Sequence, residues 1–370
     1  MSFKPAENKF SYNFNTGLDL FLNNASRSPI PLSHKKIIED YLVEWVGATH
    51  DPYYFNFKHA DMLKQQIAHF VSCDAHQISI GTTVADGFSK LIHGLNWEDA
   101  DEVLLVQEDY PSVTLPFHTL KSPIIQWVKP VNGTVTIESI QRALTPKTKA
   151  IALSWVNYTT GQVNPISAIS KFCQEHDILL LIDATQALGV LPINLSKIRI
   201  DYVTASLYKW CFCPQGTAIS IFSPQLLSQT SPIGAGVFSQ SDRMLRYAPN
   251  TPTNSARKFE YGNLNILGIM LAYETFDWFN SVGIELIHDT LKSLTQQLIK
   301  LITKRNFDLA LNYSNDHESS IISFIHPKAT EFIKRLEGLG GKATYRHGLV
   351  RLSPGIYQNE KTINMLQDIL

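Results

Sequence analysis

The chain has 370 residues, 44% of them hydrophobic, with 32 Lys+Arg against 33 Asp+Glu and a formal net charge of −1. So even a balance gives no electrostatic case for nucleic acid or an anionic membrane as partner, and no stretch approaches the about 18 apolar residues of a membrane span. The length suits one large domain plus a smaller one, or two of middling size.

In chain order, the spacing predicts a helix over 59–72. The stretch "ISIGTTVADGFSKLI" (78–92) then reads as a strand, a Gly-Thr-Thr turn and a helix over 84–95. "EVLLVQ" (102–107), "IIQWV" (124–128), "KAIALSW" (149–155), "ILLLI" (178–182), "DYVTAS" (201–206) and "TAISIF" (217–222) are short apolar runs of strand length. Helices are expected between them over 136–144 and 165–176, the latter opened by Pro165. Runs apolar on both faces that alternate with helices predict an α/β domain with a mostly parallel sheet sandwiched by helices. The polar segment 238–258 is the expected long loop. From about residue 264 the rhythm changes to a long helical stretch (264–303), a strand (320–325), a helix (328–338), a short strand (348–352) and a terminal helix (359–369). That is a smaller α+β unit. The expected division is a large domain over 20–260 and a small one from 1–19 with 261–370.

The four cysteines, Cys73, Cys173, Cys211 and Cys213, are few and irregularly spaced. They fit a reducing compartment and the role of small buried apolar residues, and no zinc-type spacing or other metal site is expected. The polar start "MSFKPAENKF" lacks an apolar signal core, so a cytoplasmic location is expected.

Two charges stand out. Asp183 ends "ILLLI", where ligands of open α/β sheets bind, and Lys209 lies just past another strand among aromatic and small residues. Each has a plain structural alternative: a cap for the turn "ATQALG", and a lysine snorkelling to the surface. A lysine in an apolar setting is otherwise a nucleophilic amine. Thr82 and Thr83 precede a helix whose free amides suit a phosphate, or they simply cap it. Together a phosphate cradle, a carboxylate for a pyridinium nitrogen and an amine for an aldehyde match pyridoxal phosphate. A nicotinamide-binding alternative lacks any G-x-G-x-x-G after a strand.

The stretch "LLLIDATQALGVLPINLSKIRIDYVTASLYKWCFCPQG" resembles the Asp-x-x-Gln and Ser-x-His-Lys region of the class V aminotransferase family of fold-type I pyridoxal-phosphate enzymes. That family includes cysteine desulfurases, kynureninase and isopenicillin-epimerase-like proteins. The resemblance runs from "FLNNASRSPIP" (21–31) to "VRLSPGIYQNEKTINMLQDIL" (350–370). It implies that Lys209 forms the Schiff base and shuttles the proton, Asp183 pairs with the pyridinium nitrogen and Gln186 bonds the ring's phenolic oxygen. Ser206, Tyr208, Thr82 and Thr83 would hold the phosphate, Tyr208 standing where the family often has His. Tyr110 in "QEDYPSVTLPF" would stack on the ring, and Asn157 would lie near the ring oxygen and substrate. In "FEYGNLN" (259–265), Asn263 replaces a family Thr that reaches the neighbouring subunit's phosphate, which implies a homodimer with a shared active site. Arg351 in "VRLSP" would clamp the substrate carboxylate.

The implied function is that of an enzyme acting on an amino acid through an external aldimine and a Cα carbanion, as an aminotransferase or C–S lyase. A kynureninase-like hydrolase, an epimerase and a non-catalytic binding protein of the same fold are the alternatives. Family desulfurases carry a cysteine on a loop shortly before the carboxylate arginine. Here that region, "LEGLGGKATYRHGLVRLSP" (336–354), has none, which argues against a persulfide-forming desulfurase. Arg346 and His347 sit in that region, either as solvated loop residues or facing substrate.

Overall fold

The apolar runs become strands because helices cover them on both sides, so side chains alternate between two cores rather than between a core and water. In this computed structural model the described residues are 14–15, 17–49, 52–131, 133–242, 251–313 and 319–370, with side chains of 51–57 left aside. The first thirteen residues of the expected small domain, and 243–250 of the expected loop, lie outside them.

The helices are α1 (Leu32–Val46), α2 (Pro52–Val71), α3 (Val84–Gly94), α4 (Pro111–Thr114), α5 (Ile137–Ala143), α6 (Ile166–Glu175), α7 (Pro224–Gln229), α8 (Ile266–Val282), α9 (Ile284–Lys304), α10 (Ala329–Gly338) and α11 (Glu360–Gln367). The strands are β1 (Ile78–Gly81), β2 (Glu102–Val106), β3 (Ile124–Val128), β4 (Thr148–Ser154), β5 (Leu179–Asp183), β6 (Tyr202–Ser206), β7 (Ala218–Phe222), β8 (Ile322–Phe324), β9 (Thr344–Arg346) and β10 (Leu349–Leu352). The six expected runs from 102 to 222 all form strands. The expected helical stretch 264–303 is two helices, broken at Gly283 with φ +86°.

Seven strands make one sheet in the order β1-β7-β6-β5-β4-β2-β3. Strands β2 to β6 run parallel, and β7 is antiparallel to both β6 and β1. The fold is α/β with a mostly parallel mixed sheet. Leu104, Ile151, Ile182 and Val203 enter one core, which α8 joins by packing on α2. Val103, Ala152, Leu181 and Tyr202, one residue out of phase, enter the other with Phe88 of α3. Each such buried aliphatic side chain contributes about 1.5–3 kcal/mol.

A third core joins Leu20 and Leu22 to Leu298, Ile302, Phe324, Phe332, Val350 and Leu352. Its three-stranded antiparallel sheet has the order β8-β10-β9, and residues 20–23 bridge to it at Phe21↔Lys342 and Asn23↔Ser353.

Two features position the site. The chain reverses direction across the large sheet between β2 and β4, which opens a crevice at their carboxyl ends. At Gly87 a Cβ would lie 2.6 Å from the Tyr202 hydroxyl, so glycine lets α3 approach the sheet and bring its N-terminus to the same edge.

Candidate active site

At the carboxyl edge of the sheet, a cavity of about 320 Å³ is walled by Thr82, Thr83, Tyr110, Asp183, Gln186, Ser206, Tyr208 and Lys209, among others. Its size falls in the range of small-molecule sites. A larger groove of about 630 Å³, lined by Cys73, Gln77, Arg199 and Pro224, lies toward the opposite end and holds none of the expected site residues. We place the chemistry in the smaller cavity, because in open α/β sheets ligands bind beyond the carboxyl ends of the strands.

Asp183 closes β5 between Ser154 of β4 and Thr204 of β6. It is 5% exposed, and its Oδ1 accepts from the Thr185 amide at 2.8 Å. Burial pushes its carboxyl up, opposed by the Thr185 hydrogen bonds and by Lys209.

Lys209 sits in the β6–β7 connection at 6% exposure. Its neighbours explain why a charge is held there. Trp210, Cys211, Phe212 and Cys213 are all buried, the Trp210 indole donates to Gln186 Oε1 at 2.8 Å, and the Ser28 amide donates to the Tyr208 carbonyl at 3.3 Å. The loop is thus pinned on both sides of the lysine, and Nζ lies 5.4 Å and 5.7 Å from the ring centres of Tyr110 and Tyr208. Burial brings its pKa down to about 8, with Asp183 pulling up and Arg351 pushing down. Desolvation outweighs the mutual attraction of the two charges, so each is driven toward neutrality. Cys211 and Cys213 are core residues, and burial raises both thiols.

Gln186 is fixed at both ends. Its Nε2 donates to the Ala25 carbonyl at 2.9 Å while Oε1 is taken by Trp210. One amide N–H remains for a ligand. Thr83 caps α3, accepting from the Asp86 amide at 3.0 Å, so the plain capping role and a place on the cleft wall coexist. Asp86 also accepts from the Thr82 amide at 3.4 Å, and Lys90 holds it at 2.9 Å. Tyr110 meets Tyr158 edge-on at 5.1 Å.

Three expected residues, Asn157, Asn263 and Arg351, stand apart from the cleft wall. Asn157 spends its Oδ1 on Thr159 N, Thr160 N and Thr160 Oγ1, capping the turn, and the wall at that point is Val156 and Tyr158. Asn263 is exposed beside Gly262, where an added Cβ would meet nothing within 4 Å.

Arg351 is brought close by the turn after β4. Four consecutive carbonyls of that turn accept side chains from the third core's region: Tyr158 from Arg351, Thr159 from Ser323 at 2.6 Å, Thr160 from Tyr313 at 2.7 Å and Gly161 from Ser319 at 2.6 Å. Arg351 Nη2 also donates to Ser26 Oγ at 2.6 Å, yet its buried Nε has no partner among the described residues. Burial, and then Arg346, lower its pKa to about 10, so it stays cationic at neutral pH.

Asp109 was not singled out from the sequence. Following β2, it spans the crevice to β4: Oδ2 accepts from Ser154 N at 2.7 Å, and Oδ1 from Ser154 Oγ at 2.5 Å and Tyr110 N at 2.6 Å. Burial raises it to about 6, against these hydrogen bonds and with Asp183 adding to the rise. The acidic pair "ED" before Tyr110 was the available signal, but it reads equally as a solvated turn.

A buried amine with no hydrogen bond to a described residue, a buried carboxylate in the same cavity and a helix N-terminus on its wall fit a pyridine aldehyde phosphate in kind and in size. Relatives agree. A probable cysteine desulfurase of Borreliella burgdorferi is 26% identical over 70% of this chain and 64% of its own length. An uncharacterized aminotransferase of Schizosaccharomyces pombe is 22% identical over 95% of this chain and 90% of its own. Among solved structures, a cystine C–S lyase in complex with its reaction product cysteine persulfide superposes with a TM-score of 0.86 at 19% identity, over 94% of this chain and 96% of that one. Among the described residues no helix is long and apolar enough to cross a membrane. The aminotransferase class-V family model matches residues 20–332, and the chain belongs to that family of enzymes, whose cofactor is pyridoxal phosphate.

Proposed function

We propose that the cleft binds an amino acid and that Lys209 moves its Cα proton, in an aminotransferase or a C–S lyase. The observation that carries this is the shared burial of Asp183 and Lys209 in one cavity, with the amine pushed toward neutrality. Pyridoxal phosphate supplies an aldehyde and a ring that accepts the electron pair left at Cα when the proton departs. Lys209 is the amine that anchors the aldehyde and, once displaced, the base at Nζ. Asp183 would hold a positive charge at the ring nitrogen, Tyr110 would cover the ring, and the free Gln186 N–H would serve its phenolic oxygen. Thr82, Thr83, Ser206 and Tyr208 would serve the phosphate. Asn157 steadies the turn that carries Tyr158, and Arg351, a guanidinium held beside the cleft at the Tyr158 carbonyl, takes the substrate carboxylate.

The sequence argued against a persulfide-forming desulfurase, but relatives named as probable cysteine desulfurases do not support that exclusion. We favour a C–S lyase that needs no protein thiol over a cysteine-relay desulfurase. None of the four cysteines lines the cavity, and burial lifts Cys73 and Cys173 to about 12. The solved cystine C–S lyase, whose product is cysteine persulfide, is a chemical precedent on this fold.

We also propose a homodimer in the cytoplasm. Leu42, Val43, Trp45 and Val46 of α1 are 52%, 73%, 59% and 88% exposed, an apolar face suited to a second copy, and the exposed Asn263 is free to reach that copy's phosphate. The four unpaired cysteines support a reducing compartment. Residues 20–260 are taken as the cofactor domain and 1–19 with 261–370 as the second, tied to the first by α8.

The test is direct. Holoenzyme reduced with borohydride is expected to carry the cofactor on Lys209, located by peptide mass. Lys209→Ala is expected to lose at least about 10³-fold in turnover with whichever amino acid is processed, read as keto acid, ammonia or sulfide released. Full activity in Lys209→Ala overturns the reading.

A further inference from the structure

The β9–β10 hairpin turns through His347 (φ +53°) and Gly348 (φ +78°), with Arg346 and Leu349 as its closing pair. Two central residues at positive φ make a tight hairpin whose twist matches its strands. Register then decides which side chains share a face. Arg351 pairs with Thr344, and Arg346 is two residues from Thr344, so by the period of two Arg346 stands on the same face as Arg351. Arg346, His347 and Arg351 line one small cavity of about 40 Å³ together with Ser26, Tyr158 and Thr344. Tyr158 is also part of the main cavity's wall, so the two spaces adjoin.

No carboxylate lines this small cavity, and Arg346 has no ion-pair partner among the described residues. Two guanidinium groups and an imidazole are gathered where a substrate carboxylate is expected to bind one of them. A single α-carboxylate is satisfied by Arg351. Two residues of strand separate Arg346 from the level of Arg351 by about 7 Å, a gap that the two long guanidinium side chains can narrow for a short diacid or leave open for a longer one. Like charges held together without a counter-ion are stabilised by an anion that bridges them.

We propose that the hairpin tip forms a second anion site, with Arg346 as its cation and His347 as an added N–H donor, and that the enzyme selects amino acids bearing a second carboxylate or an equivalent anion. This rests on the reading of Arg351 as the α-carboxylate anchor. The chemistry covers short diacids and the second amino-acid carboxylate of a disulfide-linked substrate alike.

The experiment titrates holoenzyme and reads the shift of the cofactor's absorption band for matched pairs, L-aspartate against L-asparagine and L-glutamate against L-glutamine, with L-cystine as the long arm. Wild type is expected to bind the anionic member of at least one pair, or L-cystine over L-alanine, about tenfold more tightly. That preference is expected to weaken as salt is raised. In Arg346→Gln the preference is expected to fall below about twofold. Which arm shows it separates short from long substrates.

The proposal is overturned if wild type shows no such preference, if the preference survives Arg346→Gln, or if that variant weakens both members of a pair equally. The last result would make Arg346 a second clamp on the α-carboxylate. Arg351→Lys separates the two readings. Loss of binding for both members supports the anchor, whereas unchanged binding removes that role from Arg351 and overturns the proposal that rests on it. A band that none of these amino acids shifts overturns both.

Discussion

The two sheets meet the ligand space in opposite ways. The large sheet presents charges that are almost wholly buried: Lys209 and Asp183 are 6% and 5% exposed, with Asp183 held by the Thr185 amide and the loop of Lys209 pinned by the Trp210 indole. The small sheet presents Arg346 at the exposed end of β9 and His347 in the turn that follows, with only Arg351 drawn inside. Burial pushes the Asp183 carboxyl up and the Lys209 amine down, at the cost of tolerance to change. Exposure leaves the hairpin replaceable without harm to a core. On the proposed reading, cofactor chemistry sits in the buried region and substrate choice in the exposed one, joined by the row of carbonyls from Tyr158 to Gly161.

That contrast can be broken at three points. The largest effect is expected on the buried side. Asp183→Asn keeps the shape but removes the charge, and turnover is expected to fall about hundredfold, as for the loss of one charge-assisted hydrogen bond worth about 2–3 kcal/mol. Steady-state kinetics at saturating cofactor decide it, and a near-normal turnover would deny that the buried charge matters.

The junction comes next. Gly161 has φ +77°, and a Cβ there would lie 2.2 Å from the Ile321 carbonyl. Gly161→Ala is expected to lower stability by about 2–3 kcal/mol and to raise KM by displacing Arg351 through Tyr158. A denaturation midpoint with the KM series reads both. If stability falls but KM holds, the two regions are not coupled through this turn.

The smallest and most graded effect is in pH. With Lys209 near 8 in the folded apoprotein, its reactive neutral form declines about tenfold per unit below that pH, and the rate of cofactor uptake is expected to follow. The same shift has a stability sign. The folded pKa lies below the ordinary 10.5, so between about 8 and 10.5 the unfolded chain binds the extra proton. The apoprotein therefore gains stability as pH rises through that window and loses it as pH falls. Lys209→Met is expected to flatten this part of the pH–stability curve, and a curve of unchanged slope would show that the amine is not buried as described.

Most of the large sheet was legible because its strands are uniformly apolar and bounded by turns, a pattern water exclusion enforces locally. Helix α1 and strand β9 were not. Val43 and Val46 leave α1 with an apolar face toward water, and β9 is three residues long, so neither carries the periodic contrast a core imposes. The break at Gly283 was hidden inside a continuous helical pattern, where a single glycine does not by itself end a helix.

Of the site, the sequence by itself offered the carboxylate after an apolar run, the lysine in its aromatic loop and the threonines before a helix, while the arginine within the short strand β10 came from the family resemblance. Their chemistry is a property of residue type and local spacing. Only the tertiary structure decided the rest. It brought Asp109 across the crevice to Ser154, turned Asn157 into a turn cap and set Arg346 on the face of Arg351. Each of these depends on strand order or register between segments far apart in the chain, and no local pattern of residues records which partner a strand will take.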